Sequence, residues 1–529
     1  VGPSQLIPDV LEECAAAAIP GLVVLSSTEN QIDLQEKIKQ IAFQKGLALF
    51  GPHSFGIINT DPTIQMNASL TPHQPKPGNI AFVCQSQPVC QAVLKTAKEK
   101  GLGFSKVISL GDKDITHELD IFQALQDDPL TKVIVVYLDH ISNGPDFIRI
   151  ARHLTRDIPH PKPIVAIKGG RLLDEVPTDS FHVRSLTATD RVFDKVFMQA
   201  GVIRVETIEA LLDVALAFSQ SPLPKGNRVA VVTNTRELGN LTQDAIIRHG
   251  LRCTSSILDH GPIEGKPGGS MAERETRLQA VLKDPEVDAV VVHYAASSQP
   301  KMAELGQVVA NVAHGMKLAP WSAKPFLASL MGIGEVSPDL NLLDKVGIPH
   351  FDYPEIAVRV LAELHHYQRN WVSQPKTQVP HYPAQRGAVQ LLLEKAQKEN
   401  RTFLPNSETL EILSAYGMPI LRTKFVTSEE EALKRAKELG YPVSLKISSS
   451  AIVHKWDKGG VRLSIANAED LSRAYRKMMA TAESLVGKEK IWGMEVQEMA
   501  EKGFDIYLGA KRDPLFGPIL VFGLGGAYV

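Results

Sequence analysis

The sequence predicts an α/β protein, with parallel, doubly wound layers over its first two thirds and a smaller α+β module at its end. Two observations carry this expectation. Short β-branched runs alternate with helix-periodic segments as far as residue 370, and beyond the Pro-rich stretch 371–387 the order changes to helix, strand, strand, helix. In chain order the expected strands of the first part are GLVVLSS (21–27), NIAFVCQ (79–85), VIVVYLD (133–139), PIVAIKGG (163–170), RVAVVTN (228–234) and AVVVHYA (289–295). Each precedes a helix-periodic segment, such as VCQAVLKTAKEKG after the second and LTQDAIIRHG after the fifth. In the final part SEEEALKRAKELG reads as a capped helix, YPVSLKISS and GVRLSIA as strands, and LSRAYRKMMATAESL as an amphipathic helix. An alternating strand, a turn, a second strand and a Gly-rich hairpin then follow over 492–526.

Runs of Pro and Gly at 73–78, 221–227 and 371–387 divide the chain into 1–75, 76–222, 223–370 and 388–529, with 371–387 as a linker. The first segment opens on PSQLIPDVLEECAAAA, whose Leu6, Ile7, Val10, Leu11 and Cys14 have the spacing of a helix that follows a strand. The last ends on VFGLGGAYV, a strand and glycine turn with nothing to receive it. Further chain is therefore expected before Val1 and after Val529.

The 529 residues make room for about three or four domains at roughly 100–200 residues each. Hydrophobic residues at 44% and charged residues at 22% describe globular protein rather than a disordered or fibrous chain. Lys+Arg at 57 against Asp+Glu at 59 leaves no global field to hold nucleic acid or an anionic membrane surface, so an anion must be bound locally. Cys14, Cys84, Cys90 and Cys253 lack paired CxxC spacing, which suits a reducing, cytoplasmic setting and provides neither a disulfide framework nor a zinc site. No apolar run approaches the roughly 20 residues needed to span a bilayer.

Chemistry concentrates at a few positions. His182 stands in the polar stretch DSFHVRSLTATD, after the strand that ends KGGR (168–171). The strand VIVVYLD ends on Asp139, and the carboxyl ends of neighbouring parallel strands line one crevice, where Asp139 and the His182 loop can meet. A carboxylate beside an imidazole fixes its tautomer and stabilises its charged form, as a nucleophilic or phosphoryl-carrying histidine requires. The alternative for Asp139 is a loop cap. Two helix starts, CQSQPVCQAV (84–93) and VTNTRELGNLTQ (232–243), follow strands directly and offer free N–H groups and a partial positive charge to phosphate. Lys446 on VSLKISS, followed by HKWDKGGVRL (454–463), places basic groups and a glycine pair where nucleotide phosphates would lie; the alternative is a solvent-facing lysine.

Together, GPHSFGIIN (51–59), PKPGNIAFVCQS (75–86), GFSKVISLGDKDI (103–115), KPIVAIKGGR (162–171), GNRVAVVTN (226–234), HKWDKGGVRL (454–463) and RDPLFGPILVFGLGG (512–526) resemble the NDP-forming acyl-CoA synthetases of the succinyl-CoA synthetase superfamily, in the single-chain arrangement of ADP-forming acetate–CoA ligases. The resemblance runs almost end to end. It implies a Rossmann-like CoA-binding domain over 1–75, two flavodoxin-like domains over 76–222 and 223–370, and a partial ATP-grasp domain over 388–529. It implies the reversible reaction of acyl-CoA, ADP and phosphate to acid, CoA and ATP, through an acyl phosphate and a phosphohistidine on a moving loop. His182 falls at the position of that histidine and Asp139 at that of its carboxylate partner. Ser86, Gln87, Arg236 and Gly239 fall on the phosphate cradles, and Lys446, Lys455, Gly459, Gly460, Gln497, Glu498 and Asp505 on nucleotide positions. CoA, ATP or ADP, and Mg²⁺ with ligands beyond Val529 are the implied cofactors; a small acid or its acyl-CoA is the implied partner, in an often oligomeric family.

The sequence departs from the family pattern at the chemistry. Where Ser-His-Thr-Gly-Ser is usual it has Phe181-His182-Val183-Arg184-Ser185; where Gln-Ser-Gly is usual it has Gln85-Ser86-Gln87. Thr235-Arg236-Glu237-Leu238-Gly239 stands in place of a glycine-rich cradle, Asp139 is one methylene shorter than the usual glutamate, and His53 replaces an asparagine. Two readings follow: an ADP-forming acyl-CoA ligase, or a catalytically degenerate acyl-CoA sensor like the synthetase-like region of protein lysine acetyltransferases.

Overall fold

The computed structural model describes residues 2–28, 31–170, 190–254, 263–264, 271–295, 302–317, 324–331, 338–375, 380–449, 451–452, 459–501 and 503–525. They form two compact units, Val1–Pro375 with Ala510–Leu520, and Lys376–Gly509 with Val521–Val529.

The first unit contains three sheets. β1 (Gly21–Val23) and β2 (Ala48–Phe50) pair in parallel, with Leu11, Ile38, Ala42 and Leu49 buried between them and the helices Ile7–Ala16 and Ile32–Lys45. The strand expected over 21–27 is thus only its first three residues. β3 (Gly56–Asn59) and β4 (Met66–Ser69) form a hairpin that joins the next sheet, made of β5 (Pro77–Cys84), β6 (Phe104–Ser109), β7 (Val133–Leu138), β8 (Ile164–Lys168) and β9 (Val202–Arg204). Its order is β4-β3-β6-β5-β7-β8-β9, parallel except where β3 meets β4 and β6. Two strands inside the segment 1–75 are therefore hydrogen-bonded into the sheet of the segment that follows.

Alternation in the central strands explains both cores of this sheet. Ile80, Phe82 and Cys84 with Val133 and Val135 face one set of helices, while Ala81 and Val83 with Ile134, Val136 and Leu138 face the other. Phe82, Phe122 and Phe147 are fully or almost fully enclosed, and each such side chain stabilises the fold by about 1.5–3 kcal/mol. Cys84 pairs with Tyr137 and Leu138 with Lys168, so the residues that follow β5, β7 and β8 emerge at one edge.

The third sheet comprises β10 (Arg228–Thr233), β11 (Arg252–Cys253), β12 (Ile263–Glu264), β13 (Ala289–Ala295), β14 (Phe326–Met331) and β15 (His350–Phe351), in the order β11-β10-β13-β14-β15 with β12 beside β10. All its pairs are parallel, and Thr233, His293, Ser329 and Phe351 form one row across four strands near their carboxyl ends.

The second unit is α+β, as expected. β16 (Thr423–Val426), β17 (Val443–Ser449), β18 (Val461–Ile465) and β19 (Ile491–Glu498) form an antiparallel sheet in the order β16-β19-β17-β18. The helices Glu429–Leu439 and Ala468–Val486 bury Ala432, Ala436, Leu471, Tyr475 and Met478 against it. Ser428 and Asn467 cap them, each accepting a backbone N–H three residues on. A hairpin of β20 (Ile506–Asp513) and β21 (Gly517–Leu524) follows in the chain, with Ala510–Leu520 counted in the first unit and the remainder in the second. Among the described residues, no helix is long and apolar enough to cross a membrane.

Candidate active site

Asp139 is the first residue after β7, half-buried at the carboxyl edge of the sheet. The Tyr137 hydroxyl bonds to it, and burial together with the neighbouring carboxylate pushes the phenol's pKa up, so Tyr137 keeps its proton to donate. Gly169, at the end of β8, leaves the carboxylate its space: a Cβ there would stand 2.5 Å from Asp139 Oδ1 and 2.9 Å from the Tyr137 hydroxyl. Gln85, at the end of β5, accepts the backbone N–H groups of Asp139 and His140 on Oε1, at 2.8 and 3.3 Å, and its Nε2 donates to His140 Nδ1 at 2.8 Å. This last bond selects the His140 tautomer with its proton on Nε2.

The next turn of chain is held as firmly. Lys113 Nζ donates to the His140 carbonyl at 2.8 Å and to Glu118 Oε2 at 2.8 Å, while Glu118 accepts the Ser142 N–H at 2.8 Å and the Ser142 hydroxyl at 3.0 Å. Both charged side chains are buried. His182 and Lys455, singled out by the sequence, lie outside the described residues.

Ser86 caps the helix Gln87–Glu99, its hydroxyl accepting the Val89 N–H at 3.5 Å, and Gln87 occupies the helix's first position. The Ser86 cap stands next in sequence to Gln85, so this helix start and Asp139 belong to one site. The second helix start, Arg236–Arg248, is capped by Thr235 without a side-chain bond to the helix, and the Thr235 hydroxyl has no partner among the described residues. Arg236 is exposed and Gly239 buried. Beneath this helix Thr242 accepts from His293 Nε2 at 3.1 Å and donates to the Leu238 carbonyl at 2.7 Å; burial holds the His293 imidazole down to about 4, and its Nδ1 has no partner among the described residues.

In the second unit Lys446 donates to Gln497 Oε1 at 2.7 Å across β17 and β19, and Gln497 Nε2 donates to Thr423 Oγ1 at 2.7 Å. Gly459, with φ +66°, turns the chain so that the Gly460 carbonyl accepts the Ile447 N–H beside Lys446. Lys446, Gln497 and the glycine pair are thus brought together. Glu498 is not: as the neighbour of Gln497 on a strand it faces the other way, and it pairs with Arg422 at 2.6 Å. Asp505 is exposed just before β20. A residue the sequence reading omitted stands opposite Lys446 instead. Glu495 is 1% exposed, bonded by Asn406 Nδ2 at 2.6 Å through one oxygen, with the other unpartnered among the described residues. Strand alternation was the signal that could have selected Glu495 with Gln497. An ammonium, an amide and an orphaned carboxylate oxygen form a donor and acceptor set that suits the phosphates and hydroxyls of a nucleotide. Among the described residues, no three or more His, Cys, Asp or Glu side chains gather as a metal site.

Two families match parts of the chain: the succinyl-CoA ligase-like flavodoxin domain over residues 77–218 and the ATP-grasp domain over 395–529. The 4-hydroxybutyrate–CoA ligase (ADP-forming) of Nitrosopumilus maritimus is 30% identical over 545 residues, covering 99% of this chain and 77% of that protein. Acetate–CoA ligase (ADP-forming) I of Archaeoglobus fulgidus is 31% identical over 549 residues, covering 100% and 77%. The chain belongs to the ADP-forming acid–CoA ligases. Among solved structures, the dinucleotide-forming acetyl-coenzyme A synthetase 1 of Candidatus Korarchaeum cryptofilum, in complex with phosphate and ADP, shares the ligase fold with a TM-score of 0.63 at 24% identity, over 70% of this chain and 82% of that one. Membership in the ADP-forming ligases carries with it the use of CoA and of ATP or ADP, and favours the enzyme over the sensor that the altered histidine loop suggested.

Proposed function

We propose that this protein joins a small carboxylic acid to CoA at the expense of ATP, and runs the reaction in reverse, with Asp139 and His182 as its phosphoryl-transfer pair. The observation that supports this reading best is the setting of Asp139: a half-buried carboxylate at the carboxyl edge of a parallel sheet, beside a capped helix start and with its backbone clamped by Gln85. Shortened by a methylene relative to the family's usual glutamate, it is kept in place by Tyr137 and by the space above Gly169.

In the direction of ATP synthesis, phosphate displaces CoA from the acyl carbon and the acyl phosphate passes its phosphoryl group to His182, releasing the acid. ADP then takes the phosphoryl group from His182. Asp139 accepts a hydrogen bond from the imidazole N–H opposite the attacking nitrogen and stabilises the positive charge the ring gains. The Gln87 N–H receives a phosphate oxygen at the first helix start, where Pro88 has no N–H and the Val89 N–H is taken by the Ser86 hydroxyl, and Arg236 at the start of its helix, with Gly239 inside it, offers a second anion cradle. Lys446 and Gln497, with Lys455, Gly459 and Gly460, hold the nucleotide, with Glu498 and Asp505 on the same module. The proposal includes the domain limits 1–75, 76–222, 223–370 and 388–529, Mg²⁺ accompanying the nucleotide, a homo-oligomer and a cytoplasmic location.

The test is intact-mass detection of a phosphate adduct on the full-length protein, given acetyl-CoA with phosphate, or ATP with Mg²⁺. An adduct that disappears in His182→Ala is the expected result. CoA binding without an adduct from either side, and with other acyl donors, would return the sensor reading.

A further inference from the structure

Lys113 has an unusual setting for a lysine. It sits in the left-handed region at φ +56°, which side chains with a Cβ adopt rarely and at a cost, and its residue is only 4% exposed. Gly111, two residues earlier, has φ +62° and presses so closely on Pro52 that a Cβ would stand 2.1 Å from its carbonyl oxygen. The chain thus takes a strained path between β6 and the helix Glu118–Gln126, and that path delivers an ammonium group into the sheet edge.

What the ammonium meets there is specific. It donates to Glu118, itself 0% exposed, and to the backbone carbonyl of His140, the residue after Asp139. Glu118 continues the clamp onto Ser142. With Gln85 on the N–H groups of 139 and 140, the backbone from 139 to 142 is held from three elements at once. The ammonium is thus shared between a carboxylate and a backbone carbonyl of the turn that follows Asp139.

We propose that Lys113 is a positioning residue for phosphoryl transfer: anchored by Glu118, it holds the His140 carbonyl and so fixes the turn that presents Asp139 to the incoming histidine. This rests on the role given to Asp139 above. Burial leaves the Lys113 ammonium below its ordinary range although Glu118 and Asp139 oppose it, while Lys113 and the Ser142 N–H hold Glu118 below its own ordinary range against burial. The other ionisable groups around Asp139 are Tyr137 on its own strand, His140 beside it, His117 bonded to Ser142, and Lys168 at the end of β8. Among the described contacts of Lys168 are the Gly169 carbonyl and the Phe193 ring.

The experiment follows phosphohistidine formation on the full-length protein against acetyl-CoA concentration at saturating phosphate, for wild type, Asp139→Asn, Lys113→Met, Lys113→Arg and Glu118→Gln, with melting temperatures and CoA affinity in parallel. Lys113→Met is expected to slow the maximal rate of adduct formation by about 10- to 100-fold with the half-saturating acetyl-CoA concentration unchanged, because the turn that carries Asp139 is misplaced while the CoA site is untouched. CoA affinity should stay at the wild-type value. Lys113→Arg restores part of the rate, and Glu118→Gln slows the reaction less than Lys113→Met. A Lys113→Met protein with the wild-type rate overturns the proposal, as does one that is slow only in proportion to lost folded protein; if it does not fold, Glu118→Gln at the wild-type rate overturns it. No adduct on wild type, or an undiminished one on Asp139→Asn, removes the functional reading and this inference with it.

Discussion

Gln85 Oε1 accepts the backbone N–H of Asp139 at 2.8 Å, so the side chain that ends β5 dictates how the chain leaves β7. The helix start at Ser86 and the carboxylate therefore move as one piece. Gln85→Leu would leave the N–H groups of Asp139 and His140 without their acceptor, at about 1–3 kcal/mol for each one left buried. Expected are a lower melting temperature and at least about tenfold slower adduct formation. Gln85→Glu keeps the acceptor but adds a negative charge beside Asp139, and should slow the adduct with less loss of stability. Calorimetry and intact-mass kinetics on both variants check this.

Gly169→Ala should separate activity from folding. Its Cβ would stand 2.5 Å from Asp139 Oδ1, and the carboxylate must turn away to admit it. We expect a drop in adduct formation of about tenfold or more with a melting temperature within a few degrees of wild type. An unchanged rate would mean that Asp139 has another resting place.

Lys446→Met should weaken ADP binding by about tenfold or more by titration calorimetry, because the charge is lost along with the bond that orders Gln497. Gln497→Leu should weaken it less, and Arg422→Ala, which frees Glu498, should leave it nearly unchanged. Equal effects from all three would mean that the nucleotide lies on the other face of β19.

His293 makes stability depend on pH. Burial holds its folded-state pKa down to about 4 from an ordinary 6.5. Between those values the unfolded chain binds the extra proton, so stability is full above about pH 6.5 and is lost as pH falls towards 4, by on the order of 3 kcal/mol. The wild-type melting temperature should fall across that window and His293→Gln should flatten the fall.

Five of the six strands named from sequence are β-branched runs buried along most of their length, a signal carried by local composition, while β1 keeps only three residues of its run, none of them buried. β9, β11 and β15, of two or three residues each, carry no such signal and are strands only because a longer neighbour pairs with them, while the three-residue β2 pairs with the equally short β1. Asp139 was legible as the residue ending a parallel strand. Tyr137, two residues earlier on β7, follows from the period of two, but Gly169, Lys113 and Glu118 do not, because they come from other parts of the fold whose juxtaposition depends on strand order, which spacing along one chain does not encode. Glu495 and Glu498 show the opposite case. They lie three residues apart on one strand, and the period of two alone places them on opposite faces.

The hairpin of β3 and β4 shields the flank of β6 from the side away from β5. A fragment cut at the proline-rich run near residue 75 would strip that shield away and present a row of bare amide and carbonyl groups on a strand that carries Phe104, Val107 and Ile108. Such an edge recruits strands from neighbouring molecules. Anyone wishing to isolate the sheet that holds Asp139 should therefore begin upstream of Gly56, and should expect the shorter piece to precipitate for reasons unrelated to catalysis.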